Sequence, residues 1–117
     1  MGTPRPTIST HVLDLGSGEP AAGFPVALFR LADDGLPELL VEAVTDADGR
    51  VASLLDDDLE EGDYQLVFDL AAWAADADLA TEFFDNAAVG FHIDDASRSY
   101  HLPLLLSPFG LSIYRGS

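Results

Sequence analysis

Apolar and polar residues alternate along several short segments of the chain, and turn-forming residues separate these segments. A period of two places every second side chain on one face of a β-strand. In the segment 24–31, for example, Phe24, Val26 and Leu28 share a face. The pattern predicts about eight strands, at residues 7–14, 24–31, 39–45, 50–53, 64–69, 87–93, 100–107 and from 109 or 111 to 115.

Residues 70–84 break this alternation. Six alanines, together with Leu70, Trp73, Leu79 and Phe83, give partial helical periodicity, and no β-branched residue occurs before Thr81. The segment therefore predicts one short helix. Because helices do not alternate with strands, we expect an all-β antiparallel β-sandwich rather than a βαβ fold. Residues 1–117 are expected to form a single domain, with residues 1–6 flexible.

The composition excludes several kinds of protein. With 117 residues, 48% of them apolar, the chain can bury one hydrophobic core. It contains no cysteine, which excludes a disulfide framework, a thiolate zinc site and a cysteine nucleophile. The first seven residues lack the apolar core of a signal peptide, and no run approaches the roughly 18 apolar residues of a membrane span. We therefore expect a cytoplasmic protein.

The charge is strongly negative. The chain has 21 acidic residues, five arginines and no lysine, which gives a formal net charge of −16. Such a surface repels nucleic acid and anionic membranes, so neither is an expected partner. We interpret the negative charge as an adaptation to solubility or salt rather than as an acidic ligand site. A bound anion would have to use some of the five arginines, which are Arg5, Arg30, Arg50, Arg98 and Arg115.

Three histidines are candidates for proton transfer. His92 lies on the strand face opposite Val89, Phe91 and Ile93, and is therefore expected to be solvated. His11 and His101, each taken alone, are typical of hydrogen-bonded structural histidines. Together with arginines near strand ends, they are compatible with a proton-transfer site that holds an anionic substrate.

Metal and nucleotide motifs are weak or absent. The segment 45–50 superficially resembles a calcium loop, but Val44 and Leu55 would occupy two ligand positions, so a β-turn is favoured. No His-Glu-x-x-His motif, phosphate-binding glycine loop or Gly-x-Ser-x-Gly elbow occurs. Two or three histidines can bind zinc, although nothing in their spacing singles that out. No cofactor is expected.

The end of the chain carries unusual chemistry for a terminus. An apolar strand-like run leads straight into Tyr-Arg-Gly-Ser at residues 114–117, whereas termini are normally polar and frayed. We therefore expect these residues to be docked against another part of a structure.

Several motifs together resemble a known family. Ser-Thr-His-Val-Leu-Asp at residues 9–14, followed by the segment 18–28, resembles the opening of the transthyretin-like family. Phe83-Phe84, the segment 100–110 and the closing Tyr-Arg-Gly-Ser look like its 5-hydroxyisourate hydrolase branch. The resemblance spans residues 7–117. Transthyretin proper shares the fold but lacks that ending.

The resemblance implies a site. It matches the two catalytic histidines of the branch to His11 and His101, and its arginine after the Asp-Gly turn to Arg50. His11 and His101 would share acid and base work in an undetermined order, while Arg50 and Arg115 would hold ring carbonyl oxygens. Ser117 would orient water or substrate through its hydroxyl or terminal carboxylate. The implied substrate-binding set is His11, Arg50, His101, Tyr114, Arg115, Gly116 and Ser117.

One position departs from the branch. Members of the family often have His-Tyr-His before the proline, and this chain has Ser99 at the first of these positions. Since the matching histidine His101 remains, the change is expected to affect local packing or hydrogen bonding more than chemistry.

The resemblance also implies a reaction and an assembly. The reaction is the metal-independent hydrolysis of 5-hydroxyisourate to 2-oxo-4-hydroxy-4-carboxy-5-ureidoimidazoline in urate degradation. The assembly is a homotetramer, a dimer of dimers, with sites where the dimers face each other. One alternative is a carrier of a small hydrophobic or aromatic anion in the same channel. A secreted interaction domain is disfavoured by the missing signal sequence and disulfides.

Overall fold

The computed structural model describes residues 5–76 and 83–117, and in these ranges the chain forms nine strands and one helix. They are β1 (Ile8–Asp14), β2 (Glu19–Pro20), β3 (Pro25–Leu31), β4 (Pro37–Val44), β5 (Arg50–Val51), β6 (Gly62–Asp69), α1 (Leu70–Asp76), β7 (Asn86–Ile93), β8 (Tyr100–Ser107) and β9 (Gly110–Ile113). Within the described ranges, no helix is both long enough and apolar enough to cross a membrane.

The strands form two sheets. One has the order β2-β1-β8-β9, with β5 also paired to β1, and the other has the order β4-β3-β6-β7. The predicted β-sandwich with one short helix is confirmed. One strand pair differs from the antiparallel expectation, because β1 and β8 run parallel along the whole of β1. In this register Ser9 lies opposite His101, and His11 lies opposite Pro103.

The hydrophobic core lies between the two sheets and fixes which side chains face outward. On β1 the fully buried positions are Ile8, Thr10 and Val12, and on β8 Leu104 is fully buried. Phe24 and Phe68 meet edge to face in the core, with ring centroids 6.4 Å apart. Because successive residues of a strand point to opposite faces, the odd-numbered positions of β1 and β8 lie on the outer face of their sheet.

The helix is shorter than predicted. It begins at Leu70, directly after Asp69, whose Oδ1 accepts a hydrogen bond of 3.0 Å from the Ala72 amide in the manner of an N-cap. It is described as far as Asp76, and residues 77–82 of the predicted helix lie outside the described residues. The prediction is wrong at Phe83 and Phe84, which are not helical and instead contact each other edge to face.

Two strand predictions and one loop prediction need smaller corrections. The segment 50–53 is a strand only at Arg50–Val51, and the predicted loop at 16–20 contains the short strand β2. The last strand ends at Ile113 rather than at residue 115. Past that point the backbone still contacts β8, since the amides of Tyr114 and Gly116 donate to the carbonyls of Pro103 and His101.

The turn at residues 46–49 is confirmed, and it positions β5. Asp46 Oδ1 accepts hydrogen bonds from the amides of Asp48 and Arg50, at 2.9 Å and 3.0 Å. Gly49 has a φ of 76°, and its carbonyl accepts a 2.7 Å hydrogen bond from the Val12 amide. The turn is therefore fastened to β1 beside His11, which faces Arg50 in the β1–β5 pairing.

We expect Gly49→Ala to be strongly destabilising, because an added Cβ would lie 2.5 Å from the Val12 carbonyl oxygen. Gly18→Ala is the matched control, since Gly18 has a similar φ of 77° but no atom within 4 Å of the added Cβ. The control measures the left-handed backbone cost of about 1–2 kcal/mol, to which Gly49→Ala adds roughly another 1–3 kcal/mol of steric strain. Equal losses in urea unfolding free energy would contradict this account.

Candidate active site

Four parts of the chain meet on the outer face of the first sheet. They are β1, β5, β8 and the terminal segment 114–117 that runs along β8. They surround an open cleft of about 360 Å³, within the usual range for small-molecule sites. Its lining residues are Ser9, Thr10, Arg50, Val51, Ala52, His101 and Ser117.

His101 is the partly buried titratable group of this cleft. Its Nδ1 lies 2.8 Å from the Ser9 Oγ, the residue opposite it on β1. Burial lowers the pKa of His101, and the nearby His11 and Arg50 lower it further. Since each of these effects disfavours a charged imidazole, His101 is held neutral near pH 7 and can accept a proton.

His11 is fixed by the turn that carries Arg50. Its Nε2 lies 2.9 Å from the carbonyl oxygen of Asp48. A carbonyl oxygen can only accept, so Nε2 carries the hydrogen and donates it. This contact leaves Nδ1 as the other nitrogen available for chemistry. His11 is also close enough to His101 to affect its pKa.

The terminal segment closes one side of the cleft, as the sequence predicts for a docked terminus. The Gly116 amide donates a 2.7 Å hydrogen bond to the carbonyl of His101, and Ser117 then lines the cleft. A Cβ at Gly116 would lie only 2.7 Å from Cδ2 of the His101 ring. Glycine is therefore the residue that lets the backbone pass this close to the imidazole.

Tyr114 and Arg115 lie elsewhere within the same chain. The Arg115 guanidinium carbon is 5.0 Å from the centre of the Tyr100 ring, a cation–π distance, and Arg98 approaches the same ring at 5.5 Å. Tyr114 is 50% exposed. Both residues line a second pocket of about 200 Å³ that also contains Tyr100. The structure thus brings His11, Arg50, His101, Gly116 and Ser117 together, but not Tyr114 and Arg115.

Sequence reasoning missed two partners of the histidines, Ser9 and the Asp48 carbonyl. Ser9 lies in the segment 9–14 that resembles the family, yet its contact depends on the parallel pairing of β1 with β8. The Asp48 contact is made by the backbone, for which side-chain identity gives no signal. Ser99, the position that departs from the family, accepts a 3.0 Å hydrogen bond from the Thr7 amide. Ser99 therefore takes part in a local hydrogen bond.

Other candidate features lie apart from the cleft. His92 is exposed, as predicted, and its Nδ1 lies 2.8 Å from Asp63 Oδ1 on the second sheet. Across residues 5–76 and 83–117, no group of three or more His, Asp or Glu side chains is arranged to hold a metal ion.

Comparison with known proteins identifies the family. The model described as the HIUase/Transthyretin family matches residues 8–116. The chain belongs to this family. Its fold is confirmed by a solved structure of Klebsiella pneumoniae 5-hydroxyisourate hydrolase, which has a TM-score of 0.83 and 39% identity and covers 96% of this chain and 99% of that one.

Relatives in the family include hydrolases and a thyroxine-bound transthyretin. A 5-hydroxyisourate hydrolase of Halalkalibacterium halodurans is 39% identical, covering 94% of this chain and 97% of the relative. One from Deinococcus radiodurans is also 39% identical, covering 97% and 98%. Sea bream transthyretin, solved in complex with thyroxine, has a TM-score of 0.84 and 29% identity and covers 92% of each chain.

We expect Gly116→Ala to reduce activity at the cleft by about tenfold or more, because the added Cβ forces apart the terminal segment and the His101 ring. The unfolding free energy should change little, since Gly116 is exposed. Gly90→Ala on β7 is the control, as its added Cβ would make only an ordinary 3.9 Å contact. Turnover of 5-hydroxyisourate equal to that of the unmodified protein would contradict the steric argument.

Proposed function

We propose that this protein hydrolyses 5-hydroxyisourate to 2-oxo-4-hydroxy-4-carboxy-5-ureidoimidazoline in urate degradation. The observation that carries the proposal is the convergence of His101, Arg50 and Ser117 on one cleft, with His11 beside it. The predicted assignment to the hydrolase branch is confirmed by relatives of that name, 39% identical over nearly the whole chain.

Fold similarity alone does not separate an enzyme from a carrier. The TM-scores to the Klebsiella hydrolase and to sea bream transthyretin are 0.83 and 0.84. Sequence identity separates them better, at 39% and 29%. A carrier has no need for a neutral histidine beside an arginine and a docked Tyr-Arg-Gly-Ser segment, so the hydrolase is the better supported function.

The proposed reaction begins with activation of water. A histidine removes one proton as the water oxygen bonds to a carbonyl carbon of the six-membered ring. The carbon–nitrogen bond of the ring then breaks, and the leaving nitrogen receives a proton from a protonated histidine. His11 and His101 share this acid and base work. General acid–base catalysis typically accelerates a reaction by about 10²–10⁴-fold.

Arg50 supplies the positive charge in this scheme. A guanidinium donates several hydrogen bonds in a fixed plane, which suits the carbonyl oxygens of a flat heterocycle. As water attacks, the carbonyl oxygen becomes negative, and Arg50 offsets that charge inside the cleft. Ser117, at the opposite wall, is proposed to orient water or substrate.

We propose that Arg115 acts on catalysis indirectly, by positioning the terminal segment. Its cation–π contact with Tyr100 holds the terminal segment on β8, so that Gly116 and Ser117 reach the cleft. Tyr114, half exposed at the end of β9, is proposed to meet substrate in the site completed by a neighbouring copy.

The hydrolase proposal is tested by generating 5-hydroxyisourate from urate with urate oxidase and following its decay by ultraviolet absorbance. We expect the protein to accelerate the decay, and Arg50→Ala and His101→Ala each to lose about 10²–10³ of the rate. Arg30→Ala, an arginine of the second sheet that pairs with Glu60, is the control and should keep full activity. Decay at the spontaneous rate with the unmodified protein would refute the enzyme proposal.

The pH dependence of that rate follows from His101. A base must be neutral, and the lowered pKa keeps His101 neutral below its usual value of 6.5. The histidine-dependent rate should therefore persist as the pH falls through 6.5, and decline only as the pH passes below the lowered pKa.

We further propose that the protein acts in the cytoplasm as a homotetramer, a dimer of dimers. Large apolar side chains are exposed at Leu15 and Phe109, which a second copy would cover. Copies with a charge of −16 repel one another, so salt should promote assembly. Gel filtration at low and high ionic strength should show a tetramer favoured by salt, and a monomer at both would contradict a shared site.

A further inference from the structure

Ser9 faces the imidazole of His101 across the two parallel strands. The two residues are directly opposite in the β1–β8 register, and Ser9 Oγ lies 2.8 Å from His101 Nδ1. Both side chains are partly buried, so this hydrogen bond is partly shielded from water. The β1–β8 pairing therefore places a hydroxyl group where it can determine whether His101 Nδ1 carries a hydrogen.

The other side of the His101 ring faces the terminal segment. The position of a Cβ on Gly116 would be 2.7 Å from ring atom Cδ2, which is bonded to Nε2. Arg50 and Ser117 line the same cleft. With Nδ1 taken by Ser9, Nε2 is the nitrogen of His101 left for chemistry.

We propose that Ser9 is a positioning residue that accepts the Nδ1–H of His101 and so leaves the Nε2 lone pair to take the proton from water. This assignment rests on the proposed hydrolase function, and it makes His101 the general base. The water proton passes to Nε2, the water oxygen bonds to the ring carbonyl carbon, and Ser9 remains bound to Nδ1–H of the resulting imidazolium.

The direction of the hydrogen bond decides whether Nε2 can act, because a serine hydroxyl can either donate or accept. If Ser9 donated, the single hydrogen of the neutral imidazole would lie on Nε2, which could then take no proton from water. With Ser9 as the acceptor, Nδ1 carries the hydrogen and Nε2 keeps its lone pair. The tautomer with Nδ1–H bonded to Ser9 is therefore the one that a general base at Nε2 requires.

His11 is held by its other ring nitrogen, which distinguishes it from His101. Its Nε2–H donates to the Asp48 carbonyl, so the nitrogen that His101 keeps free is occupied in His11. The structure thus gives each imidazole one fixed nitrogen, held by Ser9 in one case and by the backbone in the other.

The tautomer is measured by nitrogen-15 NMR of the full-length protein with labelled histidine, at a pH where His101 is neutral. We expect a protonated Nδ1 and an unprotonated Nε2. In Ser9→Ala the two tautomers should mix, and in Ser9→Thr, which keeps the hydroxyl, the pattern should be restored. A protonated Nε2 in the unmodified protein, or unchanged shifts in Ser9→Ala, would overturn the proposal.

Kinetics give the second measurement. Losing one neutral hydrogen bond should lower kcat for 5-hydroxyisourate by about tenfold in Ser9→Ala, with KM little changed and Ser9→Thr close to normal. Ser97→Ala, which removes a serine hydroxyl bonded to Asp95 outside the cleft, is the control and should keep full activity.

The two measurements separate the inference from the function on which it rests. A rise in KM with kcat unchanged in Ser9→Ala would contradict a positioning role for Ser9. An equal fall in kcat in Ser97→Ala would contradict it as well. An inactive unmodified protein would refute the hydrolase and with it His101 as base, while the NMR pattern would still decide whether Ser9 sets the tautomer.

Discussion

The parallel pairing of β1 with β8 is the constraint on which the site depends. It places Ser9 opposite His101 and His11 opposite Pro103, while the core fixes which face of the sheet these residues occupy. Strand β8 contacts β1 along one edge and β9 with the terminal segment along the other. His101 therefore lies between two separate parts of the chain, and a one-residue slip in either pairing would remove the cleft.

The acidic surface gives Arg50 a distinct position among the cations. Arg30 pairs with Glu60, Arg5 lies near Asp58, and Arg98 and Arg115 both approach the Tyr100 ring. Arg50, in contrast, makes neither a salt bridge nor a cation–π contact within residues 5–76 and 83–117. Its guanidinium is available at the cleft on a chain that otherwise repels anions, which concentrates the attraction for a substrate carbonyl or anion at one point.

Local patterns in the sequence predicted most of the fold, because strand alternation and turn chemistry are local properties. The exposed His92, the turn at Asp46 and the sandwich itself were all predictable in this way. Strand pairing is not local, and the parallel register that joins Ser9 to His101 could not be read from spacing. The prediction of helix at Phe83 and Phe84 was wrong, because alanine content indicates helical propensity without locating the residue at which a helix ends. For the candidate site, resemblance to the family proposed the residues, and the side-chain partners came only from the structure.

In the proposed mechanism, the terminal segment, docked on β8, completes a catalytic cleft around His101. The most direct measurement compares the decay of 5-hydroxyisourate with the full chain and with a chain lacking residues 114–117, after circular dichroism and gel filtration have shown that both share the same fold and assembly. We predict that the shortened chain gives only the spontaneous rate of decay. Full acceleration by the shortened, folded protein would contradict the claim.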